Sequence, residues 1–370
     1  MSSITELFRY WTYQVFAPGT LLRRKYTAFR ELLEHHDACL ERMADLEEIH
    51  YGHEHADWAR IEWLCEELLT KAEDSVERLL EMGPSRYMDL PEYLRKIAFY
   101  VRLGLDLSEP DCSPPWFMDL DQAAEQLGLA GGKAANLGVV AAETYLGVPP
   151  GLVVTTHAAN YVIEANALRS ELRRLLREVT LSDPEALERR CGEMRELVLA
   201  ADVPGEIGDE LLLRATTLAG PGGLLAVRSS GVAEDGALSF AGQYESQLNV
   251  APEKVTQAYL QVLASAYAPA AVTYRVLHGL ADQEAGMAAL VMPMVQARAA
   301  GVLYTRDLDR SQTVRGVVSI YAVPGLADGL VSGRAEPEIW SFDREDRPLP
   351  LQRVESSDAV LDPASAMRLA

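Results

Sequence analysis

The chain has 370 residues, of which 48% are hydrophobic and 24% are charged, ordinary values for a globular protein of two or three domains. The net charge of −21 argues against a nucleic-acid partner, because phosphate contacts require clustered lysine and arginine. The sequence shows no long apolar run, no leader pattern and no C-x-x-C pair among its four cysteines, so we expect a cytoplasmic protein with reduced thiols and no membrane partner.

Residues 1–108 follow a helical pattern. Apolar residues recur at intervals of three and four from Leu21 to Leu46 and from Trp58 to Leu80, and a third helix is predicted from about Pro91 to Leu105. Two long amphipathic helices joined near Gly52 predict an antiparallel hairpin within a small bundle. Since this region contains no catalytic motif, its predicted role is docking or the formation of a homo-oligomer.

A histidine cluster lies in the same region. Five of the seven histidines fall between His35 and His55, and His36 stands three residues before Cys39, a spacing that can hold a metal ion on one helix face. The alternative is a polar helix end that carries histidines without a metal role. Because no Glu-x-x-His pair faces the cluster from a second helix, we predict a bundle without metal.

Residues 109–115 predict a linker, because Pro114-Pro115 is incompatible with a helix. The following module is predicted to begin at Trp116, with residues 116–225 as its first part and 226–370 as a C-terminally incomplete lobe. Within it we predict alternating helices and acidic loops over 159–220.

Gly131-Gly132-Lys133 predicts a glycine turn that leads into a helix. A lysine at such a position can point at a phosphate, while the helix N-terminus adds a partial positive charge. The spacing is not that of a P-loop. The alternative is an exposed lysine at an ordinary helix start.

Residues 226–250 predict a strand that ends at Val227, then a polar loop and a second strand. Arg228 follows the first strand directly, and two serines come next. Glycines in the loop let the backbone approach a polyphosphate, and an arginine guanidinium can bind two phosphate oxygens at once. The alternative is a surface hairpin whose small polar residues satisfy turn geometry. Further on, the pattern predicts one long helix over Val255–Leu277 and an apolar strand over Ala288–Val295.

The wording of these motifs resembles the phosphoenolpyruvate synthase and pyruvate phosphate dikinase family, and it is closer to the synthases and the antibiotic phosphotransferases. The matching elements are A-V-R-S-S, A-E-D, S-F-A-G-Q and E-S-x-L-N-V within 226–250, G-G-K-x-x-x-L-G from Gly131, and G-V-L-Y-T-R-D from Gly301. The resemblance covers roughly residues 116–369. It implies an α+β fold, with the N-terminal helical bundle followed by a two-lobed, ATP-grasp-like nucleotide-binding module.

The resemblance also implies ATP and Mg²⁺ as cofactors. Lys133 and Arg228 would neutralise the phosphates. The residues implied to close over the phosphates are Ser229, Ser230, Ser239, Phe240, Ala241 and Gly242. Met294 and Val295 match the family segment that holds adenine, and Asp328 and Glu338 are candidate Mg²⁺ ligands, with exposed loop carboxylates as the alternative.

By resemblance the chain is the ATP-binding portion of a phosphotransferase in which ATP phosphorylates a carrier histidine that passes the phosphoryl group to pyruvate. The family's Q-D-I-E-W segment and T-S-H histidine do not occur before Ala370, and no Q-x-R occurs in the setting of the family's strand, after the L-D-P-x-S-A-x-x-L-A helix. The catalytic residues are therefore unassigned, and we expect little phosphoryl transfer by this chain alone. The alternatives are an antibiotic or glucan acceptor, or a non-catalytic remnant that binds nucleotide or serves as a scaffold.

Overall fold

The computed structural model describes residues 18–52, 55–105, 110–144, 147–232, 244–280, 286–305, 318–331, 333–342 and 360–369. The chain divides into two compact units, residues 1–293 and 294–370. The predicted α+β class is confirmed, since an N-terminal helical region precedes sheets whose strands all pair antiparallel. No helix within the described ranges combines the length and the apolar content that crossing a bilayer requires.

The first unit contains helices and a five-stranded sheet. Its helices are α1 (Pro18–Tyr51), α2 (Trp58–Met82), α3 (Pro84–Tyr87), α4 (Leu90–Leu105), α5 (Leu127–Glu143), α6 (Thr156–Ala165), α7 (Arg169–Arg177), α8 (Pro184–Leu199), α9 (Gly205–Ala219), α10 (Val255–Ser265) and α11 (Pro269–His278). Its strands are β1 (Phe117–Asp119), β2 (Leu152–Val154), β3 (Leu225–Gly231), β4 (Ser246–Val250) and β5 (Met287–Pro293). Short 3₁₀ turns lie at Leu120–Glu125 and Pro252–Lys254.

Helices α1 and α2 form the predicted antiparallel hairpin. An ion pair and a histidine–carboxylate contact join the two helices, with Arg78 3.4 Å from Glu31 on α1 and Asp74 3.6 Å from His35. The α2 residue number falls as the α1 number rises, as expected for antiparallel helices. Asp57 caps α2 by accepting a hydrogen bond of 2.9 Å from the backbone N–H of Ala59.

The hairpin packs against the rest of the first unit. Asp57 also pairs with the buried Arg275 of α11, with 2.8 Å between Oδ2 and Nε. The ring of Trp63 lies between two guanidinium groups, 5.7 Å from Arg42 of α1 and 5.5 Å from Arg177 of α7. The helices therefore share buried contacts with the following module, and the domain boundary over 109–115 stays a prediction.

The sheet of the first unit has the order β1-β2-β5-β3-β4, and every pairing is antiparallel. Alternate residues of its strands face two cores, because successive side chains of a strand point to opposite sides. One core contains Val227 and Val291 with residues of α6 to α11, and the other contains Ala288 and Leu290 with residues of α5. The sheet is thus covered by α5 on one face and by a larger helical layer on the other.

Two sequence predictions of element ends were wrong. Strand β3 does not end at Val227 but continues to Gly231, because each residue from Arg228 onward pairs with β5. The helix predicted over 255–277 is divided into α10 and α11, because Pro269 has no N–H and holds Ala268 in an extended conformation.

The second unit contains a three-stranded antiparallel sheet and two short helices. Its elements are β6 (Ala299–Tyr304), β7 (Val318–Pro324), α12 (Asp328–Val331), β8 (Glu338–Phe342) and α13 (Pro363–Leu369). Its buried core contains Ile320, Trp340, Phe342 and Ala366.

All four cysteines are free thiols. Burial raises the pKa of Cys191 to about 12, so this side chain packs as an uncharged apolar group in the larger core of the first unit.

Candidate phosphate site

The glycine turn before Lys133 breaks helix α5. Gly131 has φ 72° and ψ 168°, a conformation that residues with a Cβ rarely adopt, while the residues on either side are helical. A Cβ at this position would collide with the carbonyl oxygen of Ser230. The turn therefore lies directly on strand β3, and only glycine permits this approach.

Two serine hydroxyls hold the turn and the strand together. The backbone N–H of Ala134 donates to Ser230 Oγ at 3.0 Å, and Lys133 Nζ donates to Ser229 Oγ at 3.2 Å. Both serines are fully buried. The two motifs that the sequence singled out, nearly one hundred residues apart, thus form one contact, and the direct phosphate role of Ser229 and Ser230 stays a prediction.

Arg228 supplies an exposed cation beside this contact. Its backbone is fixed on both sides, since it pairs with Ser246 of β4 and with Leu290 of β5. It is the one exposed residue in an otherwise buried strand. Within the described residues no carboxylate lies at ion-pair distance from Arg228, so its guanidinium faces solvent on a rigid support.

Thr156 holds the turn from a second side. Its hydroxyl donates to the carbonyl oxygen of Gly128 at 2.9 Å, which ties the first turn of α5 to the start of α6. Thr156 is not among the residues that the sequence predictions singled out. The signal was a hydroxyl residue at a helix start, but its partner lies 28 residues away and could not be identified from spacing.

The other predicted nucleotide residues lie elsewhere. Ser239, Phe240, Ala241 and Gly242 fall outside the described residues. Met294 and Val295 follow strand β5 at the start of the second unit, where Met294 is half-buried and Val295 is exposed. Their adenine contact stays a prediction.

The two candidate metal ligands belong to the second unit. Glu338 is buried, and its Oε2 accepts hydrogen bonds from the backbone N–H groups of Val360 at 2.7 Å and Leu361 at 3.1 Å. Asp328 begins the short helix α12. Among the described residues, no three His, Cys, Asp or Glu side chains converge as a metal centre would require. The assignment of Asp328 and Glu338 as Mg²⁺ ligands stays a prediction, and so does the expectation that His36 and Cys39 hold no metal.

Comparison with known proteins defines the class. Residues 127–365 match the family model described as pyruvate phosphate dikinase, AMP/ATP-binding domain. Because the match covers more than half of the chain, this protein belongs to that family. The match begins just before the glycine turn and includes Lys133, Arg228 and both buried serines.

Individual relatives carry two kinds of name. The chain is 34% identical over 225 residues to a probable phosphoenolpyruvate synthase of Staphylothermus marinus, a match that covers 59% of this chain and 27% of the relative. It is 36% identical over 228 residues to a phosphoenolpyruvate synthase of Aquifex aeolicus, covering 58% and 26%. It is 35% identical over 229 residues to a rifampicin phosphotransferase of Streptomyces sviceus, covering 61% and 26%. The matched region thus spans about a quarter of each relative.

Proposed function

We propose that this chain is the ATP-binding portion of a phosphoenolpyruvate synthase-like phosphotransferase, with a two-lobed, ATP-grasp-like nucleotide-binding module. The observation that carries the proposal is the contact between the glycine turn and strand β3. It fixes Lys133 through Ser229 and places Arg228 on the same strand. A cationic pair on a preorganised support can bind polyphosphate without the loss of conformational entropy that ordering either side chain would require.

The two cations have different tasks in this proposal. The planar guanidinium of Arg228 would bind two phosphate oxygens in a bidentate manner, and the ammonium of Lys133 would act as a point charge near the start of the longer part of α5. Ser229 would orient Lys133, and Ser230 would keep the backbone of the turn in place. Both serines would then act by positioning as well as by any direct contact.

Mg²⁺ is proposed only as the ion that accompanies ATP. Bound to the nucleotide, it would neutralise phosphate oxygens. Glu338 fits a metal site poorly, because its buried carboxylate already accepts two backbone N–H groups through Oε2.

The acceptor is proposed from the relatives. Phosphoenolpyruvate synthases and a rifampicin phosphotransferase match this chain at nearly equal identity. We place first a carrier histidine that passes the phosphoryl group to pyruvate, and second an antibiotic of the rifampicin type. A cytoplasmic location is part of the same proposal.

Titration calorimetry with ATP tests the proposed phosphate contacts. Arg228→Ala should weaken binding by about 1.5–3 kcal/mol, the range for a hydrogen bond to a charged group, and Lys133→Ala should weaken it similarly. Arg189→Ala is the matched control, because Arg189 is also an exposed arginine of the first unit but lies on α8. Equal affinity in the wild type and Arg228→Ala would refute the assignment, and absence of binding in the wild type would favour the scaffold alternative.

A further inference from the structure

An apolar stripe runs along the solvent side of helix α1. Its apolar side chains are 44–71% exposed, and with one histidine they recur at alternating intervals of four and three residues over three heptads. We call this the α1 stripe; its members are Leu22, Tyr26, Phe29, Leu33, His36, Leu40 and Met43. Alternation of three and four is the spacing by which one helix packs along another in a coiled coil.

The α1 stripe is not the surface that α1 uses within the hairpin. Glu31 and His35 are among the residues that contact α2, and the buried Ala28 lies among the positions between stripe residues. In the part of the chain that the structure describes, α2 therefore covers one side of α1, and the α1 stripe is left exposed to solvent. A helix of 34 residues is about 51 Å long at 1.5 Å per residue, which gives the stripe room for a second long helix.

The charges of α1 are divided between its two halves. Residues 18–30 carry four basic side chains and no acidic one, and residues 31–51 carry seven acidic side chains and one arginine. Two copies of α1 in parallel would place like charges opposite each other, which is destabilising. Two antiparallel copies would place the basic half of each opposite the acidic half of the other.

We infer that the α1 stripe binds the α1 stripe of a second copy of this chain in antiparallel orientation. A register that alternates the two kinds of heptad position puts Tyr26 opposite Met43, Phe29 opposite Leu40, and Leu33 opposite His36 of the second copy. Covering the stripe in both copies removes on the order of 1,000 Å² from solvent, the size at which specific interfaces begin. The inference does not depend on the proposed function.

A second apolar surface serves as the comparison. Helix α4 also exposes large apolar side chains, among them Ile97 at 56% and Tyr100 at 69%. Its charged residues are three basic side chains and one acidic one. It therefore lacks separate basic and acidic parts that could attract each other in two copies. The α1 stripe, not this surface, combines heptad spacing with self-complementary charge.

Sedimentation equilibrium of the full chain tests the interface. We expect a dimer over about 1–100 µM, and Leu33→Glu with Leu40→Glu should raise its dissociation constant at least about 100-fold, because two central apolar contacts are replaced by charges. Ile97→Glu with Tyr100→Glu is the matched control on α4 and should leave the dimer intact. All four positions are exposed, so an unchanged far-ultraviolet circular dichroism spectrum verifies that each variant is folded.

Charge reversal tests the orientation. Arg23→Glu with Arg30→Glu should weaken the dimer, Glu41→Arg with Glu47→Arg should weaken it too, and all four changes together should restore it, because only antiparallel copies set one half against the other. His36→Leu should strengthen the dimer.

Three outcomes would overturn the inference: a monomer throughout the concentration range, a dimer that survives the α1 leucine changes, or a dimer that is lost on the α4 changes. Additive weakening by the two charge reversals would overturn the antiparallel orientation.

Discussion

Ser230 shows how one residue joins two distant motifs through both its backbone and its side chain. Its carbonyl oxygen occupies the space that a Cβ at position 131 would fill, and its hydroxyl accepts the N–H of Ala134. The glycine turn and the serine are therefore parts of one arrangement. Because both groups are buried, water cannot replace a lost contact there.

Gly131→Ala should destabilise the first unit by more than about 2 kcal/mol, since it combines a positive φ with a collision against backbone. Urea unfolding monitored by circular dichroism measures the change. Gly128→Ala is the matched control, because a Cβ at Gly128 meets nothing within 4 Å and the residue is in the first turn of the same helix. Its effect should be near zero or slightly stabilising. A Gly131→Ala protein as stable as Gly128→Ala would contradict the close approach.

At the scale of elements, the hairpin is held to the module by a charge pair that has almost no access to water. The side chain of Asp57 is 0% exposed and that of Arg275 is 6% exposed. The pair with Asp57 gives Arg275 a structural role. A buried pair contributes modestly as a whole, but loss of one partner leaves an uncompensated charge.

Asp57→Asn should lower the free energy of unfolding by about 3–5 kcal/mol, the cost of leaving a buried charge without its partner. Asparagine can still cap α2, so the change isolates the charge from the cap. Asp183→Asn is the matched control: Asp183 also caps a helix, with Oδ1 accepting from Glu185 at 3.1 Å and Ala186 at 3.0 Å, but it is exposed. A loss in Asp57→Asn no greater than in Asp183→Asn would show that the pair does not bind the hairpin to the module.

The elements differ in how far the sequence could predict them. The hairpin followed from local periodicity, because each helix has one apolar face whose spacing is visible in the chain. The end of β3 could not be predicted, since pairing with β5 overrides the polar composition of Arg228 to Ser230. Lys133 and Arg228 were found as separate motifs, but their common support depends on Ser229 and Ser230, and a contact at such separation leaves no local signal. The division of the helix over 255–277 was predictable from Pro269 and was missed.

At the scale of the whole molecule, a net charge of −21 surrounds a site that is proposed to hold a polyanion. The general field disfavours ATP, so binding must depend on cations fixed close to the phosphates, where screening and distance weaken the field of remote carboxylates. Arg228 and Lys133 meet this requirement, because their supports are built from buried strand and helix residues. The same two cations do not by themselves supply an acceptor for the phosphoryl group.

We predict that the 370-residue chain binds ATP but forms AMP far more slowly than about one turnover per second, a typical lower value for enzymes. Charge that develops on the transferred group needs further cations and a positioned acceptor, and loss of one such arginine can cost about 10³–10⁵ in rate. The sequence contains no Q-D-I-E or T-S-H motif, and no Q-x-R in the setting of the family's strand, to supply them. The experiment incubates the purified chain with Mg-ATP and pyruvate and follows AMP and phosphoenolpyruvate by chromatography. Calorimetry on the same sample verifies that ATP is bound. If no product forms, the lack of product then cannot be attributed to unfolded protein. Formation of AMP at that rate, lost in Lys133→Ala but kept in Arg189→Ala, would show that the chain holds catalytic groups beyond the two cations.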